Sequence, residues 1–307
     1  MTTVIAVANN KGGVAKTTTC LSLGGSLAEQ GHLTLLVDLD PQAHLTASLG
    51  IKPETLRRTV ADALLGQSSL VSISRETGVE RLDLAPANRE LAVLDKVLYK
   101  RPRYEYRLKQ SLNGVGRQLY DVVLMDCPPA FGTLTLNALT AADLLIIPVQ
   151  CEYYSVRSLH QLLELVKLVR HKTNPRLGYR LLVSMFDMRN KVHRLTLEQM
   201  RTRFPDALFQ TIIQVDTRLR ESPAFGLPIT RYAPRTRAAR QYRALAQELV
   251  ACLPSTAVRP MSLMGRELSL AQKPVTLPST SPIPYLERGG VETCGEPSRT
   301  MGVRCYA

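Results

Sequence analysis

Continuous apolar runs alternate with amphipathic segments along most of the chain. The run Val4-Ile5-Ala6-Val7-Ala8 is typical of a strand buried on both faces, and apolar positions at helical spacing follow over 17–30. Further strands are predicted near 82–85, 144–149, 181–185 and 211–213, and helices near 88–98, 104–112, 132–141, 156–170, 191–203, 217–222 and 236–252. This alternation predicts an α/β fold, a doubly wound and mostly parallel sheet with helices on both faces.

The pattern changes after Leu253. Residues 254–307 are rich in proline, serine and glycine and show little periodicity, as in Pro-Ser-Thr-Ser-Pro-Ile-Pro at 278–284. Such a composition buries too little apolar surface to offset the entropy of ordering. We therefore expect one domain over 1–253 and a disordered tail over 254–307.

A glycine-containing turn, Lys11 to Thr18, connects the first strand to the first helix. This context is typical of a phosphate-binding loop, in which backbone N–H groups and the positive helix end surround phosphate oxygens. Lys16 would neutralise phosphate charge, and the Thr17 hydroxyl would ligate Mg²⁺. The common pattern G-x-x-x-x-G-K-[ST] is broken by Asn10 and Ala15, so an ordinary βα turn is the alternative interpretation.

Two further apolar runs end in acidic residues. Leu33 to Val37 leads into Asp38 and Asp40, and Val122 to Met125 leads into Asp126. Acids at the carboxyl ends of parallel strands face the ligand crevice of an open sheet, and Mg²⁺ takes few protein carboxylates. Asp38 has a purely structural alternative, as a cap for the helix that follows.

These motifs together resemble the ParA/MinD family of ATPases, whose deviant Walker sequence is K-G-G-x-x-K-[ST]. The resemblance also includes D-x-D-P-Q at 38–42, D-C-P-P at 126–129 and R-L-x-E-x-P-x-x-G-x-P-I at 218–229, and covers about the first 250 of 307 residues. Most members have glycine at the position of Ala15. The resemblance implies a fold like that of P-loop NTPases, with ATP and Mg²⁺ as cofactors.

The family resemblance also implies roles for individual residues. Lys11 would reach the phosphates held by a second subunit, and Asp40 would orient the attacking water, which with Lys16 makes three catalytic positions. Metal contacts would come from Thr17, Asp38 and Asp126. The nucleotide would contact Lys11, Gly12, Gly13, Val14, Ala15, Lys16, Thr17 and Thr18, with Ile213, Val215 and Asp216 bordering the adenine.

Positive charge is concentrated in the second half of the chain. The formal net charge is +13, and the stretch from Arg157 to Arg243 holds 18 Lys and Arg residues but 6 Asp and Glu residues. No helix-turn-helix or zinc-finger pattern accompanies it, so this bias predicts binding to duplex DNA without sequence preference. Candidate contacts are Arg189, Lys191 and Arg194, after the strand predicted at 181–185, and Arg218, which matches a DNA-binding arginine of the family. Each arginine also has the alternative role of a solubilising charge.

The resemblance therefore predicts a partition ATPase that forms a homodimer with ATP, binds non-specific double-stranded DNA, and releases it after hydrolysis stimulated by a ParB-like protein. Basal turnover would be slow. We expect a cytoplasmic, nucleoid-associated protein without a membrane partner, because no apolar run spans a bilayer and the first strand leaves no room for a signal peptide. A membrane-associated placement ATPase like MinD is the main alternative. The six scattered cysteines lack the spacing of a metal site.

Overall fold

A computed structural model describes residues 2–113, 119–152 and 155–252, with the backbone alone for 155–158, and all of these residues belong to one compact unit. The strands are β1 Thr3–Val7, β2 Thr34–Asp38, β3 Arg75–Glu76, β4 Leu82–Ala85, β5 Val122–Asp126, β6 Leu144–Val149 and β7 Gly178–Val183. The helices are α1 Lys16–Glu29, α2 His44–Ala47, α3 Val60–Leu65, α4 Leu70–Ile73, α5 Glu90–Leu98, α6 Arg107–Leu112, α7 Thr133–Ala141, α8 Ser155–Lys172, α9 Lys191–Arg203, α10 Arg218–Glu221, α11 Ile229–Tyr232 and α12 Arg237–Cys252.

The strands form one sheet in the order β3-β4-β2-β5-β1-β6-β7. Every neighbouring pair is parallel except β3 with β4, which is antiparallel at one edge. The predicted fold class, a doubly wound and mostly parallel α/β sheet, is confirmed.

Both faces of the sheet are covered, and β1 shows why the apolar runs are continuous. Val4 and Ala6 belong to one buried cluster, whereas Ile5 and Val7 belong to the other. Helices α1 and α12 pack on the second face, and α3 and α5 to α9 supply the first. Since successive side chains point to opposite faces, a strand covered on both sides must be apolar at every position.

The prediction of a strand at 211–213 is wrong. This segment contacts the β7 side of the sheet through an isolated bridge between Phe186 and Gln214. The carboxylate of Glu248 in α12 accepts the backbone N–H groups of Gln210 and Thr211, at 2.6 and 2.9 Å. Those donors are thereby used by a helix side chain, and no regular ladder forms.

Short elements escaped prediction. The edge strand β3 has two residues, and α2 and α4 have four each, so none provides enough repeats for a periodicity to be recognised. The expected tail over 254–307 lies outside the described residues.

Candidate functional site

The sheet brings the predicted site residues together at the carboxyl ends of its central strands. Because β1, β2 and β5 are parallel neighbours, Asp126 is paired with Val7 on one side and with Asp38 on the other. The turn between β1 and α1 therefore lies beside the ends of the two acidic strands. Residues more than a hundred positions apart in sequence meet here.

The turn has two residues in the left-handed backbone region. Gly13 has φ 74°, and Ala15, directly before α1, has φ 67° and ψ 34°. Glycine adopts this conformation without strain, whereas the Cβ of alanine is crowded by its own backbone. Ala15 therefore occupies a backbone conformation that favours glycine.

Neighbouring strands hold the turn in place. The Asn9 amide donates to Pro148 O at 2.8 Å, and the Asn9 side-chain oxygen accepts Lys11 N–H at 3.0 Å. The Ser184 hydroxyl, which follows β7, donates to Val14 O at 3.0 Å. These bonds fix both ends of the Lys11 to Val14 stretch against the sheet.

Lys16 begins α1 and is buried, with its ammonium 3.2 Å from the backbone oxygen of Lys11. Burial lowers the pKa of Lys16 from its ordinary value, and the carboxylates of Asp126 and Asp40 act against that change. Thr17 and Thr18, the next two residues, are half-buried at the N-terminus of the helix. The first turn of α1 thus presents one cation, two hydroxyls and free helix-end amides, the groups that bind phosphate.

Asp38 is fully buried and its carboxylate is occupied by protein donors. One oxygen accepts Thr46 N–H at 2.9 Å and the Thr46 hydroxyl at 2.7 Å, and the other accepts Asp40 N–H at 3.1 Å. Burial raises the pKa of Asp38 to about 6, although these hydrogen bonds lower it. The structure thus supports the capping role of Asp38 toward α2.

Asp126 differs from Asp38 in its surroundings. Its carboxylate is fully buried, and neither oxygen accepts a hydrogen bond within the described part of the chain. Burial raises the pKa of Asp126 well above its ordinary value and the Asp38 carboxylate raises it further, while the Thr17 hydroxyl and the Lys16 ammonium lower it. A buried carboxylate without hydrogen bonds is costly unless a cation compensates it.

Asp40 lies after β2, where the backbone turns. One carboxylate oxygen accepts Gln42 N–H at 2.9 Å, and its backbone oxygen accepts Ala43 N–H at 2.8 Å. Asp40 is 8% exposed, the most accessible of the four buried charged residues at this site, ahead of Lys16, Asp38 and Asp126. A group in this position borders the crevice without being sealed in the core.

Lys11 turns back toward its own subunit. Its ammonium donates to the Gln150 amide oxygen at 3.0 Å and to the Glu152 carboxylate at 2.5 Å. The lysine side chain is 29% exposed and the glutamate 50%. The cation predicted to reach another subunit is therefore held by partly exposed groups that solvent or a ligand can replace.

The segment expected to border the adenine packs beside β7. Ile213 N–H donates to Val183 O at 2.9 Å, and Val215 N–H donates to Phe186 O at 3.1 Å. The Asp216 carboxylate accepts Arg218 N–H at 3.0 Å and Ala238 N–H at 3.3 Å, at the starts of α10 and α12. Asp216 therefore fixes two helix ends, and the Val215 side chain is exposed.

The four candidate DNA contacts lie on adjacent segments. Arg189, Lys191 and Arg194 surround the start of α9, and Arg218 begins α10. The two segments are joined where Phe186 N–H donates to Ile213 O at 3.0 Å. The structure brings these cations, all exposed, to the β7 side of the molecule.

Three of these cations have local partners. Arg189 contacts both carboxylate oxygens of Asp187 at 3.1 and 3.0 Å, and this pairing holds the pKa of Asp187 near 2. Arg194 donates to Met188 O at 2.6 Å, and Arg218 donates to Glu221 at 2.8 Å. Ion pairs on an exposed surface contribute little stability and are readily exchanged for phosphate.

Sequence reasoning gave no role to Gln150, Glu152, Ser184 or Thr46, although all four hold site residues. The available signal was their position, because Gln150 and Ser184 are the first residues after β6 and β7. Polar residues at the carboxyl ends of parallel strands face the ligand crevice in the same way as acidic ones. Within the described residues, no helix combines the length and apolar content that a membrane crossing requires.

Comparison with known proteins agrees with this geometry. The profile of a family described as an AAA domain matches residues 2–179. A crystal structure described as cobyrinic acid a,c-diamide synthase from Mycobacterium smegmatis, with bound ATP analog and magnesium, is similar with 37% identity and a TM-score of 0.75, and the match covers 86% of this chain and 100% of that one.

Two curated relatives are similar over nearly their whole length. The sporulation initiation inhibitor protein Soj of Bacillus subtilis (strain 168) is 43% identical over 249 residues, which is 81% of this chain and 98% of that protein. The chromosome partitioning protein ParA of Myxococcus xanthus (strain DK1622) is 38% identical over 248 residues, 80% of this chain and 87% of that protein. The chain therefore belongs to the ParA/Soj family of partition ATPases, as its motifs predicted.

Proposed function

We propose that this protein is an ATP-driven switch for DNA partitioning, which dimerises with ATP, binds DNA without sequence preference and releases it after hydrolysis. The observation that carries the proposal is the site at the sheet edge, where Lys11, Lys16 and Thr17 lie beside Asp38, Asp40 and Asp126. Slow basal turnover and stimulation by a ParB-like partner belong to the same proposal and rest on the kinship with Soj and ParA.

The residues present fit ATP with Mg²⁺. The turn offers backbone amides, the N-terminus of α1 and the buried Lys16 for phosphate oxygens, and Ile213, Val215 and Asp216 lie on the β7 side for the base. Asp126, buried and without a hydrogen-bond partner in the described residues, is suited to a cation together with the Thr17 hydroxyl. A Mg²⁺ ion held there would supply neutralisation of the charge on the transferred phosphoryl group.

The chain's own groups supply positioning and charge. Lys16 holds the phosphates in one subunit, and Lys11 exchanges Glu152 for phosphates of the other subunit. Asp38 supports this side of the site indirectly, because its bonds to Thr46 and to Asp40 N–H fix the backbone that carries the Asp40 carboxylate. Asp40 then orients the attacking water, so catalysis depends mainly on geometry.

The basic surface around α9 and α10 is the proposed DNA contact. Arg189, Lys191, Arg194 and Arg218 are exposed and lie together, and their local partners are weak competitors for phosphate. Dimerisation places two such surfaces on one particle. Two linked contacts bind DNA far more tightly than one, which makes ATP the control of DNA binding and places the protein on the nucleoid.

A mobility-shift assay with non-specific duplex DNA tests this proposal, with ATP, ADP or no nucleotide. The wild-type protein should bind only with ATP, Lys16→Ala should not bind, and Asp40→Ala should stay bound because hydrolysis is blocked. Lys96→Ala, an exposed lysine of α5, is the matched control and should behave as wild type. Equally tight binding without nucleotide would contradict the switch, and ATP-dependent sedimentation with vesicles after nuclease treatment would support the membrane-associated alternative.

A further inference from the structure

Gln150 stands at the point where the sheet meets the phosphate loop. It is the first residue after β6, which pairs with β1 on one side and with β7 on the other. The side chain is half-buried between the loop and the end of β7. The side chain itself is a neutral amide, which offers one acceptor oxygen and one donor nitrogen.

The Gln150 amide uses both of its ends. Its oxygen accepts the Lys11 ammonium at 3.0 Å, and its nitrogen donates to Gly13 O at 3.1 Å and lies 3.0 Å from Met185 Sδ. The orientation of the amide follows from its partners, because an ammonium only donates and a carbonyl only accepts. The Gln150 side chain therefore connects the Lys11 ammonium to the loop backbone.

The bond to Gly13 O has a consequence for the loop's donors. Gly13 is in the left-handed region at φ 74°, where its backbone has alternatives that other residues lack. In a trans peptide the C=O and the next N–H point in opposite directions. Holding the Gly13 carbonyl toward Gln150 therefore sets the direction of Val14 N–H, one of the amides available to phosphate.

We propose that Gln150 is a positioning residue of the nucleotide site, which holds the Gly13 peptide and the Lys11 ammonium in one arrangement before ATP binds. This inference rests on the proposed function. Glu152 contributes differently, because among the described residues it pairs with the Lys11 ammonium at 2.5 Å and makes no hydrogen bond to the loop backbone. Glu152 fixes only the position of the Lys11 ammonium, whereas Gln150 also fixes the orientation of the Gly13 peptide.

Three variants separate these roles. Gln150→Ala removes both bonds, and Gln150→Glu keeps an acceptor for Lys11 but has no donor for Gly13 O. Glu152→Gln keeps the whole Gln150 bridge and is the matched control. Two measurements are needed: the Kd for ADP with Mg²⁺, which does not require a dimer, and amide hydrogen exchange of residues 10–15 without nucleotide.

We expect Gln150→Ala and Gln150→Glu to raise the Kd for ADP about tenfold, which corresponds to about 1.4 kcal/mol. The KM for ATP should rise by a similar factor with a smaller change in kcat, and exchange of residues 10–15 should accelerate at an unchanged Tm. Glu152→Gln should stay within about twofold of wild type in ADP affinity, because a half-exposed ion pair contributes little.

Unchanged ADP affinity and unchanged exchange in Gln150→Ala would overturn the inference. Wild-type affinity in Gln150→Glu would also overturn it, since the Gly13 bond would then be dispensable. A wild-type protein that binds no ADP would contradict the proposed function itself. In that case the exchange rates, measured without nucleotide, still decide whether Gln150 orders the loop.

Discussion

Asp38 and Asp126 are paired residues on neighbouring parallel strands, both fully buried, yet one carboxylate accepts three hydrogen bonds and the other accepts none in the described structure. The donors to Asp38 are Asp40 N–H, Thr46 N–H and the Thr46 hydroxyl. The same residue type at paired positions thus has two different tasks. Asp38 stabilises the backbone, and Asp126 is left available.

Asp126→Asn should stabilise the nucleotide-free protein at pH 7.5 by about 1–3 kcal/mol, because it removes a buried carboxylate whose ionised form is disfavoured by burial and by Asp38 more than Thr17 and Lys16 favour it. The native pKa of Asp126 is raised, so the native state binds more protons than the unfolded state above the ordinary pKa of aspartate. The contribution of Asp126 to stability therefore falls as the pH rises through this window. The advantage of asparagine should shrink between pH 7.5 and pH 5, as measured by urea unfolding.

Asp38→Asn is the control for this prediction. An asparagine amide replaces one acceptor by a donor where all protein partners donate, so this variant should lose stability. A loss of stability in Asp126→Asn at both pH values would show that its carboxylate has compensating contacts in the native protein.

Ala15→Gly should raise stability by about 1 kcal/mol, the strain of an L-residue in the left-handed region less the entropy cost of glycine. Ala15 has φ 67°. Ala244, exposed in the middle of α12, is the matched site, and Ala244→Gly should lower stability by about 1 kcal/mol. Thermal unfolding of the two variants measures both changes in stability. A similar loss of stability in both variants would contradict backbone strain at Ala15.

Arg218→Ala should weaken ATP-dependent DNA binding several-fold and reduce the dependence of log K on log salt by about one phosphate contact. Arg75→Ala removes the same charge from β3, at the opposite edge of the sheet from β7. It should leave both affinity and salt dependence as in wild type. Equal effects of the two variants would mean that net charge matters and position does not.

Ser222→Ala should be neutral or more stable by up to about 1 kcal/mol, because the Ser222 hydroxyl is fully buried and without a hydrogen-bond partner among described residues. Ser184→Ala is the matched change at a fully buried serine whose hydroxyl donates to Val14 O at 3.0 Å. It should cost about 1 kcal/mol in a chemical unfolding series. Destabilisation by Ser222→Ala of the same size would point to an internal water bonded to its hydroxyl.

The sequence was informative wherever a single segment carries its own signal. The apolar runs ending at Asp38 and Asp126 predicted their strands and the edge at which those residues would lie, since buried parallel strands must be apolar throughout. The loop from Lys11 to Thr18 was recognisable because close phosphate approach restricts residue types. The sequence also showed alanine at position 15, where most members of the family have glycine. The φ of 67° at Ala15 gives the physical reason for that preference.

The sequence misled where distant groups compete for the same backbone. Residues 211–213 have the composition of a strand, yet the Glu248 carboxylate of α12 accepts the N–H groups of Gln210 and Thr211. The local sequence around 211–213 carries no signal for Glu248, which lies about forty positions away. The clustering of Arg189 and Arg218 likewise depends on how two loops pack beside β7.

By itself, then, the sequence determined the fold class, the family and the residue types of the site, because these follow from local periodicity and from short motifs. Only the tertiary structure decided which carboxylate is satisfied and which is free, that Lys11 rests on Glu152, and that Gln150 joins Lys11 to Gly13. The physical reason is that hydrogen bonds and burial depend on which strand ends become neighbours. That order of strands is set by packing of the whole sheet.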